Sequence, residues 1–404
     1  MAGLPAEVCS QIARYTAQAD LVSLCRVCRA LQRPAESELY ENLVLRDALV
    51  AYQAYLALVA NNGIRGTYVR RFWFLQDVRR RSIGFLRSSK FWEALQAALI
   101  TTVNLEYLYI LDPSARNAWI LDSPDFKFQL LEANLHMAWD THMVAFLQGQ
   151  RKLRFLHVKD SLDEGPLCAL GPDSLQSLAQ FSGPVLVLAE LLACPLTHVQ
   201  IALEEETTAA LLPTVVSDLG RVMKNLRSLN VLYWPEVILI ETLELISVSV
   251  FGPSLRYLGT ISYPMMDRHD IHRCLVPMRN LEIIDLDLTA WMPPPIDIFQ
   301  RMLATELRTF CPSLNYILFW MKSGWRSPLA VLESICGATF EVLSLVVVPT
   351  RLQRITVPRS SCGWKNGASG PILVKCGGGY KPVGVMGGAV FWRLIVWAFF
   401  LADM

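Results

Sequence analysis

The chain carries little charge for its size. Lys, Arg, Asp and Glu make up 18% of its 404 residues, and they cancel to a net +1. A balance so near zero leaves no global field to draw in nucleic acid or an acidic substrate, and no nucleic-acid partner is expected. Signatures of common chemistry are missing as well: there is no GxxxxGKS/T, GxGxxG, GxSxG or HExxH. No nucleophile stands at a defined spacing from a base, so the reading is a non-enzyme with no catalytic residue, no metal and no cofactor. The opening residues lack the basic and apolar regions of a secretory leader. That leads to an expectation of reduced thiols for the ten cysteines and of a cytoplasmic or nuclear location.

What is abundant is apolar. Such residues fill 53% of the chain and give a mean hydropathy of +0.32, which suits stacked elements sharing one continuous core. After a first strand at Phe72–Leu75 they recur in a single grammar, LxxLxL. It is found at Leu105–Ile110, Leu153–Val158, Leu196–Ile201, Leu226–Val231, Leu255–Leu258, Leu281–Leu286 and Leu314–Phe319, with Phe340–Leu345 as a last member. Leu196, Leu226, Leu255, Leu281 and Leu314 stand 30, 29, 26 and 33 residues apart, near the leucine-rich-repeat period. Short leads announce several strands, among them Pro253-Ser254, Met278-Arg279-Asn280 and Pro312-Ser313. Helical patterns lie between, as where Leu239, Leu243, Ile246 and Val250 form one stripe. Residues 112–150 and 160–195 are irregular. The expected fold class is α/β: an irregular leucine-rich-repeat solenoid over 66–350, with a parallel sheet on the concave face and helices on the convex face. An ordinary α/β sheet with right-handed crossovers is the competing fold.

The first forty-five residues read differently. Pro5 sits where a helix starts and Glu7 lies in its first turn, beside the positive end of the dipole. Val8, Ile12 and Tyr15 recur at helical spacing. Asp20 is placed as the cap of a second helix, and Pro34 as the end or restart point of that helix, before a third through Leu39 and Tyr40. Three such short helices bury too little surface to stand alone, so they must pack on the rest of the chain or on a partner.

This segment, residues 1–45, resembles the F-box, whose pattern is LPxE, an apolar helix, then DLxxLxxVCRxL. The matching residues are Leu4, Pro5, Glu7, Val8, Ile12, Asp20, Leu21, Leu24, Val27, Cys28, Arg29 and Leu31. The pair Cys9-Ser10 departs from the bulkier aliphatics usual in the family. The resemblance implies docking on the Skp adaptor and, through it, on a cullin ubiquitin ligase. Leu4, Pro5, Val8, Ile12, Leu24, Val27, Cys28 and Leu31 would mix partner-facing and core positions. An F-box followed by degenerate leucine-rich repeats is an arrangement of large fungal families, and the chain looks like a member in architecture. The function this resemblance implies is that of a substrate receptor of a Skp-cullin-F-box (SCF) ligase; the alternative is a non-ligase repeat scaffold, membrane-anchored through its tail in one version.

Residues between the leucines alternate to the opposite sheet face. The candidates for holding a target protein there are Tyr107, Tyr109, Phe155, His157, Tyr257, Asp285, Asp287, Tyr316 and Trp320. The competing reading is that loops or the tail cover them. Cys25-x-x-Cys28 reads as core, and Asp267, His269, Asp270, His272 and Cys274 as a solvated helix rather than a metal site. The basic run from Arg65 to Lys90 reads as a solvated linker around the first strand. Residues 351–404 fit no repeat: a glycine-rich coil leads to AVFWRLIVWAFFLA. Over 383–402 the single charge is Arg393, and a central arginine costs about 3 kcal/mol in a bilayer, so a membrane span is disfavoured. Structural cap, membrane anchor and gene-model artefact all stay open for this tail.

Overall fold

A strand buried on one face needs an apolar residue at every second position, and LxxLxL supplies this without any partner distant in sequence. A computed structural model of the chain describes residues 4–76, 81–159, 168–171, 173–203, 209–266 and 268–321, with further strands at 341–347, 373–376 and 379–382. The parallel strands are β1 (Asn42–Leu45), β2 (Arg71–Phe74), β3 (Tyr107–Leu111), β4 (Glu132–His136), β5 (Phe155–Val158), β6 (Gln180–Pro184) and β7 (His198–Ala202). They continue as β8 (Ser228–Leu232), β9 (Tyr257–Ser262), β10 (Ile283–Asp287) and β11 (Tyr316–Met321). These eleven strands form a parallel sheet in strict chain order, each bonded to the next. The order never reverses, as it would at the switch point of a doubly wound sheet.

The helices are α1 (Ala6–Tyr15), α2 (Gln18–Leu24), α3 (Arg29–Glu41), α4 (Ala48–Val59), α5 (Ser89–Thr101), α6 (Thr141–Gln148) and α7 (Val185–Glu190). After them come α8 (Leu212–Val222), α9 (Glu236–Val248), α10 (Arg268–Leu275) and α11 (Asp297–Phe310). Two of them start on aspartate caps. The Asp47 carboxylate accepts from the backbone N–H of Leu49 and Val50, and that of Asp140 accepts from Met143.

The register stacks one residue per strand into an inward row: Leu43, Phe72, Leu108, Ala133, Leu156, Phe181, Val199, Leu229, Leu258, Ile284 and Ile317. All but Leu43 are buried. Each buried Leu, Ile, Val or Phe of the row contributes roughly 1.5–3 kcal/mol on leaving water, Ala133 less, and the row is continuous across all eleven strands. At the strand entrances one carbonyl per unit accepts two N–H groups from the next. Arg70 serves Glu106 and Tyr107, Arg154 serves Ala179 and Gln180, and Arg256 serves Glu282 and Ile283. The short leads add side-chain bonds of the same kind. Ser254 donates to the Leu226 carbonyl, Asn280 to Pro253, and Ser313 to Leu281.

Four local expectations need correction. The strand expected at Phe340–Leu345 is β12 (Glu341–Val347), but it runs antiparallel to β11, covering the backbone groups of the last parallel edge. Pro34 lies inside α3; it forfeits only the bond to the Ala30 carbonyl, and Ala30 is exposed, so water can take that place. Asp20 stands within the first turn of α2, whose N-cap is Ala17. Val250 falls beyond the end of α9 and is exposed, while Leu239, Leu243 and Ile246 are buried. A separate two-stranded sheet joins β13 (Leu373–Cys376) to β14 (Gly379–Pro382).

Candidate functional site

The N-terminal helices keep a core of their own. Ala13, Leu21 and Ala35 are buried, with Leu24, Cys25 and Leu39 packed around them, and none of these belongs to the main core. So small a nucleus cannot draw every apolar side chain inward. Leu4, Pro5, Val8 and Ile12 on and before α1 are exposed, as are Val27 and Cys28 ahead of α3. Leu24 is half-buried and Leu31 is buried, which places Leu31 in the support rather than on the surface. Cys9 is buried and Ser10 turns back onto the Ala6 carbonyl at 3.0 Å. Two further exposed apolar residues escaped the sequence reading as surface, Tyr15 (85% exposed) and Val22 (45%). The helical spacing of Val8, Ile12 and Tyr15 is the signal that would have placed Tyr15 there. Exposed apolar residues clustered on one small unit mark an interaction surface more often than isolated ones do.

A polar joint ties this unit to the sheet. The Arg65 guanidinium donates to the Glu36 carboxylate at 3.0 Å, with side-chain exposures of only 26% and 13%, and lies 5.7 Å from the Tyr40 ring centre. Arg70 pairs with Glu106 at 2.8 Å, and Arg71 sits 4.7 Å over the Tyr107 ring. The front of the basic run is therefore engaged within the fold, while residues 77–80 lie outside the described set.

On the sheet face opposite the leucines, Tyr107, Tyr109, Phe155, His157, Asp287 and Tyr316 are half-buried. Trp73 stacks on Tyr109 at 5.4 Å, Tyr109 meets His136 at 5.7 Å, and His136 meets His157 at 5.5 Å, so four rings run across β2 to β5. His157 shares a 2.9 Å hydrogen bond with the Ser182 hydroxyl. Burial and then the Lys159 charge push His136 down to about 4, so it is neutral near pH 7. Trp73 and His136 were missed in the sequence, although both sit at outward positions of their strands.

Farther along the same face the side chains close up. Tyr257, Asp285 and Trp320 are buried rather than available on the surface. The Tyr257 hydroxyl donates to Asp285 at 2.8 Å. Burial pushes Asp285 up to about 7, outweighing the Tyr257 hydrogen bond.

Two other features singled out in the sequence take a different place from the one expected. Cys25 is half-buried against the small N-terminal core, whereas Cys28 is exposed at the N-cap of α3, so only the first cysteine of the pair takes the core place expected of both. His272 turns into the core, shares a 2.7 Å hydrogen bond with the Tyr263 hydroxyl and stacks on Phe310 at 4.6 Å. Among the described residues no three His, Cys, Asp or Glu side chains group as a metal site, and no helix is long and apolar enough to cross a membrane. The apolar segment within 383–402 lies outside the described residues.

Residues 1–46 match the family model described as F-box-like, so the chain opens with an F-box-like domain. No curated protein matches the chain. A crystal structure of a protein from Bacteroides fragilis is similar over 72% of this chain and 76% of that one, at 12% identity and a TM-score of 0.38.

Proposed function

We propose that this protein is a substrate receptor of an SCF-type ubiquitin ligase: the F-box-like domain docks the Skp adaptor and the repeats hold a target protein. The observation that carries the proposal is the exposed apolar surface of Leu4, Val8, Ile12 and Val27 on a domain that matches the F-box-like family. The chain-order sheet, the continuous leucine row and the repeated carbonyl ladder support reading residues 66–350 as a leucine-rich-repeat solenoid. In such an array the face of Tyr107, Tyr109, Phe155, His157, Asp287 and Tyr316 holds the target, because half-buried aromatic rings on rigid strands bind at low entropic cost. Tyr257, Asp285 and Trp320 support that face from beneath. The protein needs no catalytic group or cofactor, since holding target and ligase together raises the effective concentration of target lysines. It works in the cytoplasm or nucleus, and its architecture suits the fungal F-box families.

Co-purification of the full chain with the Skp adaptor tests this. The wild type brings the adaptor down, and Leu4→Ala combined with Pro5→Ala loses most of it. A wild type that fails to bind, or a variant that binds equally, overturns the proposal.

A further inference from the structure

The backbone bonds of the leads place the residue just ahead of each strand in a row along the entrance of the sheet. From β2 to β10 the row reads Arg70, Glu106, Leu131, Arg154, Ala179, Thr197, Arg227, Arg256 and Glu282. At both ends of it an arginine faces a glutamate on the next strand: Arg70 meets Glu106 at 2.8 Å, and Arg256 meets Glu282 at 3.9 Å. In the middle this pairing lapses. Arg154 is followed by Ala179, and Arg227 stands between Thr197 and Arg256. Both are exposed, and the leads set three more exposed cations beside them, Arg151 and Lys152 ahead of β5 and Lys224 ahead of β8. Among the described residues none of these five has an ion-pair partner.

Uncompensated cations in a row favour a counter-charge from outside the fold. The rest of the chain is poorly suited to supply it. Residues 322–404 hold nine Lys and Arg against three Asp and Glu, and the acidic runs at 160–164 and 204–206 follow the opposite ends of β5 and β7 in the sequence. The gap between the cations sets the form of the counter-charge. Three strand spacings separate β5 from β8, about 14 Å, which about four residues of extended chain span. Across that gap the row holds only Ala179 and Thr197, and the sheet face beside it presents Phe155, Gln180 and His198 in register. Burial and then the Arg227 charge push His198 down to about 4, so its ring is neutral near pH 7. Among the described residues of 168–179 and 191–197, the one charge is the exposed carboxylate of Asp173. A nucleic acid, charged at every unit, would lay phosphates over this neutral stretch and against Asp173. A peptide that is acidic at two places and uncharged between them would not.

We propose that the strand-entrance rim from β5 to β8 binds an extended acidic segment of a protein. One group of its carboxylates meets Arg151, Lys152 and Arg154, a second meets Lys224 and Arg227, and uncharged residues between them lie over Phe155 and His198. The inference rests on the receptor reading only in calling that segment a target; the binding itself is independent of the adaptor.

The experiment titrates the full chain into a fluorescein-labelled peptide in which two aspartate pairs flank three uncharged residues, followed by anisotropy. One control peptide replaces every aspartate by asparagine; another has the same composition with its aspartates gathered at the centre. The spaced peptide binds and weakens as salt rises, the asparagine peptide does not bind, and the gathered one binds several-fold more weakly. Arg154→Ala with Arg227→Ala weakens the spaced peptide about ten-fold. Arg46→Ala with Arg301→Ala, which removes the same charge from exposed sites off the rim, leaves it unchanged; circular dichroism melts confirm that both variants fold. Equal binding by the asparagine or the gathered peptide, or no effect of the rim variant, overturns the proposal. A single-stranded oligothymidine that binds more tightly than the peptide and is lost in the rim variant also overturns it, by giving the rim to nucleic acid. Loss of adaptor co-purification with peptide binding intact removes the receptor reading alone; the converse removes this inference alone.

Discussion

Asp285 gives the fold a stability that declines as the solution becomes more alkaline. Its carboxyl is buried on the strand face, takes the Tyr257 hydroxyl at 2.8 Å and holds its proton up to about 7. In the unfolded chain an aspartate releases its proton near 3.9, so between those values the native state binds more protons and stability falls as pH rises. The contribution is complete below the unfolded value and is lost as pH climbs through about 7. From about pH 6 to about pH 8.5 the loss comes to about 1–1.5 kcal/mol. His136 and His198, both pushed down to about 4, act in the opposite sense, because an unfolded histidine still binds protons near pH 6; wild type and variant share both, so their contribution cancels in the comparison. Asp285→Asn keeps an oxygen for the Tyr257 hydroxyl and removes the titration. Urea unfolding at the two pH values should show the wild type losing about 1–1.5 kcal/mol relative to the variant. Parallel pH dependences would refute the assignment of a buried, protonated carboxyl.

Three smaller predictions come from the same structure. Arg65→Ala leaves Glu36 with the Gln32 amide in place of a charged partner and frees Tyr40, costing about 1–2 kcal/mol and raising amide exchange in α3 while the sheet stays protected; unchanged exchange would show that the joint is not held by this pair. Gly183→Ala would set a methyl 2.7 Å from the Val158 carbonyl oxygen and 2.8 Å from the Phe181 ring, so a thermal melt should fall by several degrees, equivalent to about 1–3 kcal/mol of overpacking. Tyr55→Phe should stabilise by about 1 kcal/mol, because the Tyr55 hydroxyl is fully buried with no hydrogen-bond partner; destabilisation would mean the hydroxyl is satisfied in solution.

How much of this was legible in the sequence depended on whether the strand grammar kept its leucines. Where it did, from Leu196 to Phe319, the strands, their inward faces and the leads that bind one unit to the next could all be read in advance. It failed at β4 and β6, and the reason is local compensation. Ala133 stands where a leucine was sought. In β6 the large Phe181 and the minimal Gly183 replace two medium side chains, the glycine making room for the Val158 carbonyl. Spacing alone does not reveal a pair of opposite errors that cancel in volume. On the opposite face, alternation told which residues point outward but not how deeply each is covered. Tyr257 and Asp285 share that face with Tyr107 and Tyr109, yet only the former two bond each other and lie buried, because reciprocal hydrogen bonding across strands was invisible in a one-dimensional pattern. The N-terminal motif made its helices and the F-box-like match of residues 1–46 legible in advance.

The central claim is that the apolar face of the F-box-like domain is shaped for another polypeptide. Its most direct test is the affinity of the purified full chain for the Skp adaptor, measured by calorimetry for the wild type, Val8→Glu and Val27→Glu. Both valines are exposed, so neither change should disturb folding. Clear binding by the wild type is expected, with a loss of about a hundred-fold in each variant at unchanged melting temperature. Equal affinities in all three proteins, or no binding by any, would contradict the claim.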